Sequence, residues 1–367
     1  LDYIFIIIIV ISWILMFLTN NKSGLIQVLL LFMIIYTNGS HQSTVDLLIK
    51  SLFLITVLYL LITSGFKSKV LFILILVMLF SMSLSYFFGI RDGYYTLQDA
   101  VTAGTSILLG FMIMCINLKD KTVVLWLKTV SLMPVISLII GIPLFMIGAI
   151  NYLGRDGTSI AGSSLSTNLS FFGVLGIMAV TILSSKYDFQ KYNVLKFINF
   201  FIVLSTLTRG GIISSLVLLI PDVIIFFKKI LQDATSFLKS IFFGLISVFP
   251  IILIVQKLLT RSYESNGTLN TSGRSDAWKI ILSLQTNYIS GNGIGSLKTY
   301  TFDQQLAAFT AAHNEYVRIF FETGWIGVGC SLIALFLIIK NIEFNKMDFF
   351  ILLSFLIYSF TDNTIMN

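Results

Sequence analysis

The chain is a succession of apolar stretches, most of them about one helix long, separated by short polar breaks. Twelve can be drawn, at roughly 3–18, 24–36, 46–63, 70–88, 101–117, 122–150, 169–184, 193–208, 210–227, 237–258, 314–339 and 348–361. A bilayer gives the backbone no partners, so such stretches span it as helices. The pattern predicts an all-α polytopic integral membrane protein, with about twelve transmembrane helices in one domain over 1–367. A helix needs about 20 residues to cross, so the shorter stretches either extend into their polar flanks or are half-spans. The sixth holds Pro134, Gly141 and Pro143 and is expected to kink. The first, from Tyr3 to Leu18, has no basic leader and no small-residue cleavage site, and is read as a retained span.

The longest polar segment, 259–313, comes just before the eleventh span and is expected to be a large outer loop. Within it Ser275 to Thr286 reads as a short amphipathic helix, with Ala277, Trp278, Ile281, Leu282 and Leu284 apolar. Loops this long are usually functional or disordered, and aromatic residues among glycine turns favour an ordered, functional one.

Composition sharpens the picture. Hydrophobic residues make up 56% of the chain and charged ones 11%, against about 25% charged in a soluble domain. That excludes a soluble globule, a disordered chain and a disulfide scaffold. Cys115 and Cys330 both sit in apolar runs, so no disulfide is expected. The net charge of +7 forms no basic stripe, so nucleic acid is not an expected partner.

The sign of the charge is a topology signal. Odd-numbered connections carry Lys22, Lys67, Lys69, Lys119, Lys121, Lys186, Lys191, Lys228, Lys229, Lys340 and Lys346. Even-numbered ones hold Arg91, Arg155, Arg209, Arg261 and Arg274, with Arg318 just inside the eleventh span. The odd loops are then cytoplasmic and both ends of the chain face outward. Lysine inside needs only the insertion rule. Arginine gathered outside works against that rule, and guanidinium is the better fork for binding phosphate.

Candidate chemistry concentrates in 313–327, from His313-Asn-Glu-Tyr-Val-Arg to Gly327. At about 100° per residue Asn314, Glu315, Arg318 and Glu322 share one stripe of a helix. Glu322 and Arg318 are spaced to neutralise each other, and Gly324 and Gly327 to admit a close neighbour. His313 has the side chain that exchanges a proton near neutrality, which suits a general base; His41 has no partner visible in sequence. Thr208-Arg209-Gly210-Gly211 joins two spans with almost no loop, so Arg209 stands beside a helix start, a plausible anion site. Arg274 is placed similarly. Arg91 and Arg155 each precede an aspartate, which favours local pairs, although Arg155 stays among the candidate substrate-binding residues with Arg318, Asn314, Glu315 and Gly210. No histidine or cysteine cluster suits a metal, no Asp-x-Asp motif suggests a sugar nucleotide, and Gly291-Asn-Gly-Ile-Gly295 reads as a turn-rich loop without the context of a dinucleotide fingerprint.

His313-Asn314, then nine residues, then Gly324-x-x-Gly327 resembles the signature of the O-antigen polymerase and O-antigen ligase superfamily. Arg209-Gly210, Ser272-Gly273-Arg274 with Trp278, Thr361-Asp362-Asn363 and the large loop before the histidine agree with it, so the resemblance covers mainly 200–363. It implies a metal-independent membrane glycosyltransferase without a cofactor, in the bacterial inner membrane with its site facing the periplasm. The donor would be an oligosaccharide on undecaprenyl pyrophosphate, the lipids of the membrane its surroundings, and a chain-length regulator a possible partner. His313 would then be the base, Arg209 and Arg274 with Arg318 would hold the pyrophosphate, and Asn314 and Glu315 would position the acceptor. His-Asn-Glu-Tyr-Val-Arg-Ile-Phe-Phe-Glu-Thr-Gly is more similar to the polymerases, so polymerisation of repeat units is favoured over ligation to lipid A core. The paired Arg-x10-Gly motifs of some polymerases are absent: Ser166 and Gln285 stand where glycine would follow Arg155 and Arg274. A transporter of the lipid-linked oligosaccharide is the rival from another class, but a carrier needs polar residues near the midplane.

Overall fold

The computed structural model describes residues 2–39, 43–89, 95–148, 166–187, 189–232, 256, 274–297, 312–341 and 345–361. These form helices α1 (Asp2–Leu18), α2 (Lys22–Gly39), α3 (Ser43–Ser64), α4 (Lys69–Phe88), α5 (Leu97–Cys115) and α6 (Asp120–Met146). There follow α7 (Ser166–Lys186), α8 (Asn193–Ser205), α9 (Arg209–Gln232), α10 (Arg274–Ser283), α11 (Glu315–Asn341) and α12 (Lys346–Thr361). Helix α10 is the amphipathic helix expected in the outer loop. Its apolar residues Ala277 and Ile281 are buried.

Six helices among the described residues are long and apolar enough to cross a membrane: α4, α5, α6, α7, α9 and α11. Helices α1 to α3 contribute shorter apolar segments. Helix α8, with 13 residues, reaches only about 20 Å at 1.5 Å per residue, short of a core about 30 Å thick. The protein is thus a multi-pass helical membrane protein, while the expected tenth span, 237–258, falls outside the described residues except for Gln256. Its apolar side chains point two ways. Leu60, Ile177, Val180 and Leu183 are buried between helices, whereas Ile62, Phe80, Phe87 and Phe201 are exposed along their outer surfaces, as lipid-facing positions should be.

Small residues set the closest approaches. On α7, a side chain at Gly173 would strike Val203, and one at Gly176 would strike Asn199. Helix starts are capped: Thr96 and Asp99 form a capping box on α5, and Asn345 Oδ1 accepts from the amides of Met347 and Asp348 on α12.

Contacts between connections sort them onto two faces. On one, Lys22 Nζ donates to Thr63 O at 3.1 Å, Lys67 N to Cys115 O at 2.7 Å, and Trp126 Nε1 to Ser23 O at 3.1 Å. Tyr187 hydroxyl reaches Asp120 Oδ1 at 3.5 Å, and Lys186 pairs with Asp348 at 3.1 Å. On the other, Tyr95 hydroxyl donates to Ile294 O at 2.8 Å, Asn287 Nδ2 to Phe88 O at 3.1 Å, and Arg274 Nη1 to Thr361 O at 2.7 Å. The first face gathers odd connections and the second gathers even ones, matching the partition of lysine from arginine.

The eleventh stretch, drawn as one span over 314–339, contains a break. Gly324 has φ 60 and ψ −162, which ends one helix and starts another. Residues 288–293 enter the break. Phe321 O accepts from Asn292 N at 2.9 Å and Glu322 O from Gly293 N at 3.1 Å. Trp325 N donates to Tyr288 O at 2.9 Å and Ile326 N to Ile289 O at 3.0 Å. The ladder bonds lost at the break are therefore remade with the loop, which is what allows a broken helix at this depth. Only glycine fits: a Cβ on Gly324 would meet Gly291 N and Ile289 O, and one on Gly291 would meet the carbonyl of Glu322. Ile294 then packs into the apolar core between α4, α5 and α11.

Candidate active site

The site is assembled where α11 begins. His313 holds a left-handed φ of 47 and is half-buried. Asn314 caps the helix, its Oδ1 accepting from Tyr316 N at 3.0 Å and Val317 N at 3.1 Å. That capping role explains Asn314 without a ligand. A buried charge cluster begins at the next residue. Glu315, Arg318 and Glu322 are 1%, 2% and 2% exposed. Arg318 Nη1 donates to Glu322 Oε2 at 3.3 Å, as the spacing predicts, and Nη2 donates to Glu315 Oε1.

The glycine-rich loop set aside in the sequence holds this cluster from below. The backbone amides of Gly295 and Leu297 donate to the Glu322 carboxylate. Asn292, fully buried, ties the loop together. Its Oδ1 accepts from Thr286 N, Thr286 Oγ1 and Asn287 N, and its Nδ2 donates to Leu284 O at 3.0 Å. The signal for this role lay in pairing two glycine-rich stretches, 291–295 and 324–327, that no local period connects.

Arg209, Gly210 and Arg274 approach from the same face. Arg209, half-buried, opens α9. A side chain on Gly210 would run into Thr361, and one on Gly211 into Ser170 Oγ. The glycines thus serve close packing of α9 on α12 and α7. Arg274 Nη1 is bonded to Thr361 O, so Gly210 and Arg274 meet on one residue. Trp278, one turn along α10, donates from Nε1 to Ala312 O at 2.7 Å, next to His313, and stacks edge-on to Phe360. The elements bearing Arg209, Arg274 and His313 therefore converge. Arg155, along with Arg91, Arg261 and His41, lies outside the described residues.

Beside the cluster is a cavity of about 510 Å³ between α4, α5, α11 and α12. Met78, Met82, Phe111, Leu335 and Phe355 give it an apolar wall, and Glu315, Arg318 and Glu322 line it as well. It is chemically amphipathic. The cluster is a poor phosphate site: a phosphate charge about 5 Å from one carboxylate is repelled by about 3 kcal/mol at an effective dielectric of about 20, and two carboxylates flank the single guanidinium.

Residues 194–332 match the family model described as O-antigen ligase, a stretch from the start of α8 to the middle of α11. Over that stretch, which is less than half of the chain, the protein is similar to the O-antigen ligase family. No curated protein matches the chain. The matched stretch contains Arg209, Arg274, His313, Arg318 and Glu322. Polymerase and ligase are not separated by the match.

Proposed function

We propose that the protein is a glycosyltransferase that polymerises oligosaccharide repeats carried on undecaprenyl pyrophosphate, at the periplasmic face of the bacterial inner membrane. The observation that carries this reading is the convergence of the elements holding Arg209, Arg274 and His313 at one face, next to an amphipathic cavity. In this reading His313 takes the proton from an acceptor sugar hydroxyl as its oxygen bonds to the anomeric carbon of the donor. The bond from that carbon to the pyrophosphate breaks, and the leaving group departs with the electron pair. Arg209 and Arg274 hold the pyrophosphate and stabilise the charge that builds on it. A single displacement inverts the anomeric centre. The apolar wall of the cavity suits the hydrocarbon of a lipid-linked substrate, and the positive-inside rule assigns the arginine-bearing face to the periplasm.

The family description favours a second reading, in which the same chemistry transfers the glycan to lipid A core. One experiment separates them. Purified protein is incubated with its lipid-pyrophosphate-linked repeat, with metal chelated and no ATP, with and without lipid A core. A ladder from the repeat alone establishes a polymerase, and a product that requires lipid A core establishes a ligase. If neither forms while the protein moves the lipid between vesicle leaflets, it is a transporter.

A further inference from the structure

One nitrogen of the Arg318 guanidinium has no partner among the described residues. Nη1 is bonded to Glu322 and Nη2 to Glu315, while the buried Nε meets none. Buried donors without a partner are rare in native proteins and ask for an explanation. Here the residue lines a cavity large enough for part of a substrate. We propose that Arg318 binds a neutral sugar hydroxyl of the lipid-linked substrate through Nε, and takes no part in holding the pyrophosphate. This rests on the glycosyltransferase reading and deepens it by dividing labour among the arginines.

The two flanking carboxylates decide the class of ligand. They cancel the attraction that a guanidinium offers a phosphate, but they do not weaken a hydrogen bond to an uncharged oxygen. A hydroxyl also donates, and the carboxylates of Glu315 and Glu322 stand on the same wall as acceptors. Donor and acceptor side by side are what a sugar hydroxyl pairs with. Glu322 is the positioning residue. Arg318 and the amides of Gly295 and Leu297 fix its carboxylate, and it in turn holds the guanidinium through Nη1, leaving Nε outside the ion pairs.

The test compares two probes on the full-length protein in detergent: undecaprenyl pyrophosphate without sugar, and the lipid-pyrophosphate-linked repeat purified from the source cells. Arg318→Lys keeps a cation for the carboxylates but lacks the Nε donor. It is expected to weaken binding of the sugar-bearing probe about tenfold, the size of a lost hydrogen bond to a charged group, and to leave the sugar-free probe within about twofold. Arg209→Ala is expected to weaken both. If Arg318→Lys weakens the sugar-free probe as much as Arg209→Ala does, Arg318 is a phosphate ligand and the proposal is overturned. Unchanged binding of both probes overturns it too. If Arg318→Lys does not fold, Glu322→Gln carries the same comparison, since it keeps the shape of the side chain and loosens the guanidinium; unchanged sugar affinity in folded Glu322→Gln also overturns it. Wild-type protein that binds neither probe removes the glycosyltransferase reading itself, an outcome distinct from a defect confined to the variant.

Discussion

Among the described residues, two charged groups lie between the apolar helices, and they differ in design. Lys196 on α8 and Asp222 on α9 form a simple pair at 2.8 Å, with Lys196 3% and Asp222 25% exposed. One cation meets one anion, Asp222 keeps contact with the surroundings, and the pair lies toward the lysine-rich face of the hairpin. At the other face, one guanidinium stands between two carboxylates, all three almost fully buried, with amides from a separate segment on Glu322 and a cavity alongside. The first arrangement is sufficient to join two helices. The second brings in more polar groups than joining requires and leaves a donor unspent. That excess is the mark of a site that waits for something.

The largest effects should fall on the arginine-rich face. His313→Ala and Arg209→Ala are each expected to lower glycan transfer by at least about a hundredfold, the lower end of what general acid–base catalysis contributes for the first and of what one charge-stabilising donor contributes for the second, with the elution of the purified protein unchanged. Wild-type rates from folded His313→Ala would remove the proposed base. Next comes the loop that supports the cluster. Gly291→Ala places a methyl against the carbonyl of Glu322 at a left-handed φ of 79, and is expected to lower the melting temperature in detergent by several degrees and abolish transfer. A variant as stable as wild type would mean that the break in α11 does not depend on the loop.

The comparison itself is tested by replacing both charged groups. Lys196→Met with Asp222→Leu should keep activity within about twofold and change stability by no more than about 1 kcal/mol, since swapping a whole buried pair for apolar residues is often neutral. Replacing Glu315, Arg318 and Glu322 together by Gln, Met and Gln should leave a folded but inactive protein, checked by transfer assay and thermal melt. Equal activity losses in the two multiple variants would erase the distinction. The smallest effect is expected at the surface, where Lys186→Ala breaks the pair with Asp348; loss of about 0.5 kcal/mol or less follows from solvent screening, read as an almost unshifted melt.

What was legible in the sequence follows from how far each interaction reaches along the chain. The helices were legible because a bilayer forces every apolar run into one conformation, and so was the stripe of Glu315, Arg318 and Glu322, which a single turn geometry fixes. The sorting of connections onto two faces was legible from lysine and arginine alone. The break at Gly324 was not, because the hydrophobic pattern runs through it on both sides, and its cause lies in residues 288–293. Lys196 and Asp222 were missed for the same reason: they meet across a hairpin, 26 residues apart in sequence. Gly210 was read as a candidate substrate-binding residue, and its close packing against Thr361 was not legible. That closeness depends on a residue about 150 positions later, beyond the reach of any local rule.

The broken helix also bears on how the protein is made. In an unbroken α11 the amides of Trp325 and Ile326 would pair with the carbonyls of Phe321 and Glu322, the groups that face the loop in the finished structure. A newly inserted α11 can therefore enter the bilayer straight, with its own ladder complete, and no bare backbone meets lipid on the way. Docking of 288–293 then exchanges those two internal bonds for four to the loop and bends the helix. The amides of Gly295 and Leu297 reach Glu322 from the segment that follows 288–293, so insertion of α11 and completion of the charge cluster are separable steps.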